Sequence, residues 1–387
     1  PETCASTNSA TWATAARVLA GQGAIVNSIS AGFACQRFVY VTILIVELYS
    51  FKPRNYMAAK LITVFGASGF IGRYVVKRLA ARGYMVRAAV REPASALFLK
   101  LMGDVGQVTP LQANIRDEAS VAGAVKGADG VVNLIGILFE SGKQKFDSVH
   151  RQGAENIAKA ATDAGVRKVV HVSALGASEE SQSLYARSKA TGENAVRAAF
   201  EAAVVLRPSV VFGPQDDFFN RFAEMACVAP ALPVFGCPFP AIRNGTLDFF
   251  GDGGTKFQPI YAGDLADAVV EGLESDNAAG KTYELGGPDI FSFKEILDLI
   301  LSVTGRRRLL VPVPFWAASV GAFFTGLLPV PPLTRDQLTL LRSDNVVHAG
   351  ASGLADLGID ATSVEAIVPS YLDQYCKGGR FSRFSTV

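Results

Sequence analysis

The chain has 387 residues, a formal net charge of +2, 49% hydrophobic residues and 19% charged residues. At about 150 residues per domain, this length fits two domains or one domain with an appendage, and it is enough to bury a large core. The composition excludes a disordered or collagen-like chain, and the near-zero charge argues against a nucleic-acid-binding protein. The five cysteines and three histidines lack metal-ligand spacing, so we expect a reducing compartment, no disulfide framework and no metal site.

Residues 1–56 precede the first methionine, Met57, and have no pattern typical of the start of a domain. The segment is rich in Ala, Ser and Thr and poor in acids, as transit peptides are, but it lacks their arginines. Its apolar run at residues 38–46 is far shorter than the roughly 18 residues that indicate a membrane span. We therefore expect an extension outside the fold, and we favour an upstream artefact over a targeting segment.

The region after Met57 has the pattern of a dinucleotide-binding βαβ unit. Residues 61–65 (LITVF) are an apolar, β-branched run typical of a buried strand, and residues 85–90 form the next strand after a segment with helical apolar spacing. Three glycines follow the first strand in a GxxGxxG pattern: Gly66, Gly69 and Gly72. Such glycines let the backbone approach a pyrophosphate at a helix N-terminus and let the helix pack closely on the strand.

The end of the second strand indicates which dinucleotide is bound. Arg91 follows that strand, and Arg73 follows the third glycine. A guanidinium group matches a phosphate with two hydrogen bonds, so both arginines favour the 2′-phosphate of NADP. Glu92 can instead bind the ribose 2′-hydroxyl of NAD. We therefore expect NADP(H), with NAD(H) as the alternative.

The alternation of strands and helices continues to residue 207. Strands are predicted at residues 108–111, 130–135, 166–173 and 203–207, and helices at residues 118–126, 146–164 and 184–200. Such alternation predicts an α/β fold with a Rossmann-type, doubly wound parallel sheet. We expect this NAD(P)-binding domain over residues 57–207 and a smaller, substrate-side C-terminal lobe with long loops over residues 208–387.

A candidate catalytic group lies after the fifth strand. Tyr185 and Lys189 have i and i+4 spacing, which places both on one helix face. An ammonium group lowers the pKa of a nearby phenol, so this pair can transfer a proton while a nicotinamide exchanges hydride. Ser173 lies at the end of the fifth strand, where it can hydrogen-bond the same substrate oxygen. We assign Ser173, Tyr185 and Lys189 as catalytic residues.

Ligands of parallel sheets bind beyond the carboxyl ends of the strands, which adds further residues to the predicted cofactor site. The full set is Gly66, Ser68, Gly69, Phe70, Ile71, Gly72, Arg73, Arg91, Asn114, Ile115, Leu134, Gly136, Tyr185, Lys189 and Pro208.

These features together resemble the extended or atypical short-chain dehydrogenase/reductase superfamily. The resemblance rests on the GxxGxxG turn, Ser173, the YxxxK pair, and the RP and GP dipeptides at residues 207–208 and 213–214. Longer strings are similar to the nucleotide-binding accessory subunit of respiratory complex I and its bacterial relatives: LRPSVVFGPQDDFFNRFAEMA, KFQPIYAGDLADAVV, GKTYELGGP and PPLTRDQLTLLRSDNVV. The resemblance covers residues 60–375. It implies that the glycines, Arg73 and Arg91 hold NADPH structurally, without substrate turnover, whereas the intact YxxxK pair argues for catalysis.

Residues 309–334 contain no charged residue and directly follow Arg306, Arg307 and Arg308. A helix over residues 315–328 is too short to span a bilayer. It is either a core helix or an apolar face that docks on a membrane surface or on membrane subunits of a respiratory complex through residues 306–334, and the resemblance favours docking. The resemblance also implies a location at the inner membrane, on the bacterial cytoplasmic face or the mitochondrial matrix side.

Two other functions remain open from the sequence. One is a soluble NADP-dependent reductase or sugar-nucleotide epimerase/dehydratase-type enzyme that uses Ser173, Tyr185 and Lys189. The other is an auxiliary protein of quinone biosynthesis from the same superfamily. The intact catalytic group favours an enzyme, whereas the apolar stretch at residues 309–334 and the longer strings favour the accessory subunit.

Overall fold

The computed structural model describes residues 60–237, 241–243, 246–319 and 334–379. The predicted extension over residues 1–56 lies outside the described residues, and so does most of the predicted helix over residues 315–328. Within the described parts of the chain, no helix has both the length and the apolar character needed to cross a membrane.

The strands and helices alternate over residues 60–208, and most of the strands after that are shorter. The strands are β1 (Leu61–Phe65), β2 (Met85–Val90), β3 (Val108–Gln112), β4 (Gly130–Asn133), β5 (Lys168–Val172), β6 (Val204–Pro208), β7 (Val211–Phe212), β8 (Ala231–Phe235), β9 (Ala241–Arg243), β10 (Thr246–Asp248), β11 (Lys256–Phe257), β12 (Ile260–Tyr261), β13 (Thr282–Leu285), β14 (Phe291–Ser292) and β15 (Leu309–Val313). The α-helices are α1 (Phe70–Ala81), α2 (Glu118–Val125), α3 (Gly153–Asp163), α4 (Leu184–Ala199), α5 (Phe218–Val228), α6 (Ala262–Glu274), α7 (Phe293–Thr304), α8 (Arg335–Leu340) and α9 (Val364–Leu372).

Seven parallel strands form the central sheet in the order β13-β6-β5-β4-β1-β2-β3. The order reverses at β1, which pairs with β2 on one side and with β4 on the other. In open α/β sheets such a reversal opens a crevice at the carboxyl ends of the strands, where ligands bind. The predicted doubly wound parallel sheet is therefore confirmed, and the glycine turn after β1 lies at this crevice.

Apolar side chains cover both faces of the sheet. On one face, Val75, Val76 and Leu79 of α1 pack in a core that continues into α6. On the other face, Ile157 of α3 and Val196 of α4 pack in a second core. Strands that are buried on both faces need continuous apolar runs, which explains the sequences of β1, β4 and β5.

The sheet extends beyond the predicted domain boundary at residue 207. Strand β13 pairs with β6 along residues 282–285, and α6 packs against α1. Helix α5 and several short strands separate β6 from α6, so the alternation is interrupted in the sequence but not in space. Two local elements also differ from the predictions: a 3₁₀ segment, Pro93–Met102, lies between β2 and β3, and a π-helical turn, Asp147–Gln152, precedes α3.

The smaller lobe has its own aromatic core. Phe219 of α5 and Phe293 of α7 are fully buried, and Phe218 and Phe222 contact the Phe293 ring edge-on. Parallel strands β8 and β15 cover this core. The start of the uncharged stretch thus contains two elements: residues 309–313 form strand β15, and residues 315–319 are helical.

Candidate nucleotide-binding and catalytic site

The glycine turn brings the start of α1 very close to the end of β1. Gly66 has a positive φ of 82°, and its carbonyl accepts a hydrogen bond from the Gly69 amide at 3.0 Å. A Cβ atom at Gly72 would lie 2.2 Å from the Gly66 oxygen, so this position has no room for a side chain. The first turn of α1 contains no acidic residue, and its N-cap, Gly69, has no side chain to bind its amides. The turn therefore leaves free backbone donors at a helix N-terminus, which fit a dinucleotide pyrophosphate.

The other residues of the predicted turn differ in exposure. Ser68 is half-buried and Gly69 is exposed. Phe70 contacts Tyr74 edge-on at 6.0 Å between ring centroids, and Ile71 packs against the core beneath α1. These two side chains therefore fix the helix rather than enlarge the crevice.

Arg73 and Arg91, the residues predicted to bind the 2′-phosphate, lie on α1 and directly after β2. The Arg73 guanidinium lies over the ring of Phe98, with 5.2 Å between its central carbon and the ring centroid. Phe98 belongs to the 3₁₀ segment, which begins two residues after Arg91. Arg91 and Glu92 are both exposed. The stacking holds the Arg73 cation at the surface, where it remains available to an anion.

The predicted strand-end residues divide into open and buried positions. The Leu134 amide donates to the Phe65 carbonyl at 3.0 Å, which joins the ends of β1 and β4. Asn114 is exposed at the end of β3. Ile115 is buried under α3, and its carbonyl accepts a hydrogen bond from Asn156 Nδ2 at 3.0 Å. The Ile115 side chain therefore belongs to the core.

Two further strand-end residues lie around the catalytic group. Pro208 is buried, and its carbonyl accepts a hydrogen bond from the Leu175 amide at 2.9 Å. Gly136 is exposed, and a Cβ atom there would lie 3.1 Å from Lys189 Nζ. Gly136 therefore borders the catalytic group directly.

Ser173 directly follows β5, and Tyr185 and Lys189 lie on α4. Ser173 is 4% exposed, and its Oγ has no hydrogen-bond partner within the described parts of the chain. Lys189 is also buried, and its Nζ donates to the Val172 carbonyl at 3.2 Å. Burial lowers the pKa of Lys189 to about 8, and the Glu193 carboxylate opposes this change. A buried hydroxyl without a partner and a buried amine with one bond leave capacity for oxygen atoms of a ligand.

The electrostatic state of Tyr185 differs from the prediction. Burial raises the pKa of this phenol to about 12, although Lys189 was expected to lower it. Among the described residues, no hydrogen bond joins the phenol to the ammonium, whose proton goes to the Val172 carbonyl instead. The phenol therefore stays protonated at neutral pH and is a poor general base in the protein alone.

His150 is part of this site, and the sequence did not reveal it. Its ring stacks on Phe146 at 5.4 Å and meets the Tyr185 ring edge-on at 5.5 Å. Nε2 accepts a hydrogen bond from the Ile137 amide at 3.0 Å, so Nδ1 carries the proton and donates to Ser188 Oγ at 2.7 Å. Burial, with a contribution from Lys189, lowers the pKa of His150 to about 2. A neutral histidine therefore supports the Tyr185 ring.

The π-helical turn explains how His150 reaches Tyr185. A Cβ atom at Gly192 would lie 2.2 Å from the His150 carbonyl oxygen, so α4 packs directly on the turn. Such turns often occur at functional sites because they redirect one or two side chains. A signal for this packing was present in the sequence, since a glycine inside a helix usually has a packing reason.

A buried ion-pair network lies one turn beyond Lys189. Glu193 is 3% exposed, and its carboxylate accepts hydrogen bonds from Arg207 Nε at 3.0 Å and Nη2 at 2.7 Å. Arg207 Nη1 lies 3.7 Å from Glu284 Oε1, and His348 Nδ1 lies 2.8 Å from Glu284 Oε2. The network therefore joins α4, β6 and β13 behind the catalytic group.

Lys189 offers a direct test of the electrostatics. We expect its side-chain NMR signal, in protein with isotope-labelled lysine, to titrate with a midpoint near 8 instead of the ordinary value of 10.5. Glu193→Gln removes the charge that favours the ammonium, so the midpoint should fall further. A midpoint near 10.5 in the unmodified protein would contradict the burial described above.

The fold and the glycine turn define a protein that binds a nicotinamide nucleotide in a Rossmann-type domain. The chain belongs to the NAD dependent epimerase/dehydratase family, whose model matches residues 62–286. Within the described parts of the chain, no cluster of three or more His, Cys, Asp or Glu side chains has the arrangement of a metal site.

Relatives of known name support this class, and a solved structure shares the fold. The chain is 34% identical to NADH dehydrogenase (ubiquinone) 1 alpha subcomplex subunit 9, mitochondrial, of Arabidopsis thaliana, and the match covers 84% of this chain and 80% of that protein. It is 35% identical to the Mus musculus protein of the same name, over 81% and 79% of the two chains. A triphenylmethane reductase from Citrobacter sp. shares the fold with a TM-score of 0.62 and 20% identity, over 80% of this chain and 99% of that one. The resemblance stated from the sequence is thereby confirmed.

Proposed function

We propose that the protein is an accessory subunit of respiratory complex I that holds NADPH. The observation that carries this proposal is the close contact between Gly72 and the Gly66 carbonyl, which opens a helix N-terminus to a pyrophosphate. The chain matches about four-fifths of the length of relatives that are named as subunits of NADH dehydrogenase (ubiquinone). Together they favour a nucleotide-holding member of that complex.

In this proposal each part of the site has a separate task. The Gly66–Gly72 backbone binds the pyrophosphate, and Arg73 and Arg91 bind the 2′-phosphate, which favours NADPH over NADH. Ser173, Tyr185 and Lys189 bind the nicotinamide end of the nucleotide. When bound, the reduced nicotinamide supplies a hydride.

The charge state of the catalytic group favours retention of the nucleotide over turnover. A phenol with a pKa of about 12 is a weaker acid than an ordinary tyrosine, so it exchanges protons less readily at neutral pH. His150 is neutral and donates to Ser188, so it offers no proton to the phenol. The group therefore suits hydrogen bonding to a ligand better than proton transfer.

An exposed apolar surface is the proposed contact with the membrane complex. This docking surface consists of Val228, Leu309, Val311 and Trp316, of which Val228 is 87%, Leu309 72% and Trp316 68% exposed. Such apolar exposure is typical of interaction sites. We propose that it docks on subunits of the complex or on the membrane surface, on the matrix side of the mitochondrial inner membrane or the cytoplasmic face of a bacterial inner membrane.

The neighbouring arginines contribute less to docking than their sequence predicts. Arg306 Nε donates to the Tyr375 carbonyl at 2.9 Å, and Arg308 Nε donates to the Ala226 carbonyl at 2.8 Å. Both therefore help to fix the lobe. Arg307 is the exposed member of the three and is the one we propose to attract anionic lipid.

A second candidate function is an NADP-dependent reductase. The observation that favours it is the buried Oγ of Ser173, which has no hydrogen-bond partner among the described residues, since an enzyme of this class needs a hydrogen-bond donor for a substrate oxygen. Tyr185→Phe distinguishes the two functions. It should leave nucleotide content and complex association nearly unchanged in a structural subunit and remove turnover by orders of magnitude in an enzyme.

The proposed function is tested by isolating the tagged full chain from membranes in mild detergent. We expect NADPH in the isolated protein at about one molecule per chain, and comigration with subunits of complex I. Leu309→Asp should release the chain from the complex at any salt concentration, because it places a charge in the apolar contact. Val105→Asp is the matched control, since Val105 is fully exposed on the nucleotide-binding domain. A chain that carries no dinucleotide, or equal release by both variants, would contradict the proposal.

A further inference from the structure

The smaller lobe reaches the catalytic helix through one carboxylate. Asp336 Oδ1 accepts a hydrogen bond from the Leu184 amide at 2.7 Å. Its Oδ2 accepts hydrogen bonds from Ser183 Oγ at 2.8 Å and from the Tyr185 amide at 3.0 Å. Asp336 is 151 residues from Tyr185 in the sequence, and it binds the backbone of that residue directly.

These bonds complete the N-terminus of α4. The first amides of a helix have no partner within the helix and need one from outside. Ser183 is the N-cap, and its Oγ accepts a hydrogen bond from the Ala186 amide at 3.2 Å. The Leu184 and Tyr185 amides remain, and both donate to Asp336. Without Asp336, the turn that carries Tyr185 would lose two of its three external acceptor contacts.

The lobe fixes the position of Asp336. Helix α8 begins with a capping box in which Thr334 Oγ1 accepts from the Gln337 amide at 3.1 Å and Gln337 Oε1 accepts from the Thr334 amide at 2.9 Å. Leu338 is buried in the aromatic core of the lobe. Asp336 follows Thr334, the last residue of the uncharged stretch, by two positions. Asp336 therefore lies in the short helix that begins directly after the segment over residues 306–334.

We propose that Asp336 is a positioning residue for Tyr185, through which the smaller lobe sets the nicotinamide end of the site. The inference rests on the proposed function, because it assumes that Tyr185 contacts the nicotinamide end of the nucleotide. The carboxylate holds the first turn of α4, and that turn orients the phenol relative to Ser173 and Lys189. Loss of the carboxylate should therefore weaken contacts with the nicotinamide end and spare those with the adenosine end.

Two ligands separate these ends in a calorimetric titration of the full chain. NADPH contains both ends, whereas 2′-phospho-ADP-ribose has the adenosine 2′-phosphate and the pyrophosphate but no nicotinamide. We expect Asp336→Ala to weaken NADPH binding about tenfold, because the first turn of α4 loses its charge-assisted hydrogen bonds and Tyr185 loses its position. Binding of 2′-phospho-ADP-ribose should stay within about twofold of its affinity for the unmodified protein. Asp336→Asn keeps one acceptor oxygen and should give an intermediate NADPH affinity.

Asp298→Ala is the matched control, because Asp298 is an exposed carboxylate of the same lobe that pairs only with Lys294 among the described residues. It should leave both affinities unchanged. Amide hydrogen exchange of Leu184 and Tyr185 should accelerate in Asp336→Ala and not in Asp298→Ala. If Asp336→Ala fails to fold, the same comparison is made with Asp336→Asn.

The outcomes distinguish this inference from the proposed function. Equal weakening of both ligands by Asp336→Ala, or no weakening of either, would overturn the positioning role. Either result would leave the proposed function standing, because that function concerns binding by the unmodified protein. An unmodified protein that binds NADPH no more tightly than 2′-phospho-ADP-ribose would also overturn the positioning role, because the nicotinamide end would then make no contact for Asp336 to position. An unmodified protein that binds neither ligand would overturn the proposed function itself.

Discussion

Gly72→Val is expected to lower the affinity for NADPH about a hundredfold, which corresponds to about 2.7 kcal/mol. The Cβ atom alone would lie 2.2 Å from the Gly66 oxygen and 2.6 Å from the Ala67 carbonyl carbon. These are backbone atoms, so they cannot rotate away as a flexible side chain would. Helix α1 must therefore move off the turn, and its free amides lose their position for the pyrophosphate.

A control with the same substitution shows whether the effect belongs to the turn. Gly123 lies in α2 and is exposed, and a Cβ atom there would meet open space. Gly123→Val should cost the helix little and leave the NADPH affinity unchanged. Calorimetric titration gives both affinities, and far-ultraviolet circular dichroism checks that the variants are folded. NADPH binding by Gly72→Val within about threefold of the unmodified protein would show that the turn does not hold the pyrophosphate.

The first half of the fold could be predicted because its signals are local. Strands β1 and β2 have the predicted bounds, and Gly83 ends α1 with a positive φ of 84°, as a glycine after a helix often does. In the second half, the Ser292–Glu295 capping box is an equally local signal and begins α7. In each case neighbouring residues supply both the pattern and the interaction.

The remaining features depend on contacts between distant residues. Strand β13 joins the sheet across an intervening segment of more than seventy residues after β6, and nothing in its short sequence specifies that partner. The contacts of His150 with Tyr185 and of Asp336 with the α4 amides arise only when separate elements pack together. The pKa of Tyr185 shows the same limit, because the i,i+4 spacing indicates the nearby lysine but not the burial that raises the pKa.

Glu193→Ala is expected to lower the free energy of unfolding by about 3 kcal/mol, because it leaves the Arg207 guanidinium without its main partner. Glu193 is almost fully buried and accepts a two-pronged hydrogen bond, whereas Arg207 is 28% exposed at its side chain and keeps a longer contact with Glu284. Because Arg207 is partly exposed, we expect a loss of unfolding free energy at the lower end of the range for a broken buried ion pair. Urea denaturation measures the change.

The matched control is Glu155→Ala, which removes a glutamate from the surface of α3. Glu155 pairs with Lys159 one turn later on α3 and with Arg151 in the π-helical turn that precedes it. Such surface pairs contribute less than about 1 kcal/mol, so the control should remain near the unmodified protein. Equal destabilisation by both variants would show that the buried pair has no special role in holding α4 on β6.

The double variant Glu193→Ala, Arg207→Met separates the attraction within the pair from the penalty of an unpaired charge. If most of the loss in Glu193→Ala comes from the unpaired guanidinium, replacing Arg207 with an apolar side chain should recover a large part of the stability. Arg207→Met leaves the Glu193 carboxylate unpaired beside Lys189, so the NMR midpoint of Lys189 should rise above 8 in that single variant. In the double variant Lys189 loses the carboxylate, and its midpoint should fall below 8. Stability that is recovered without this reversal of the Lys189 midpoint would mean that the network supports the fold but does not set the charge of Lys189.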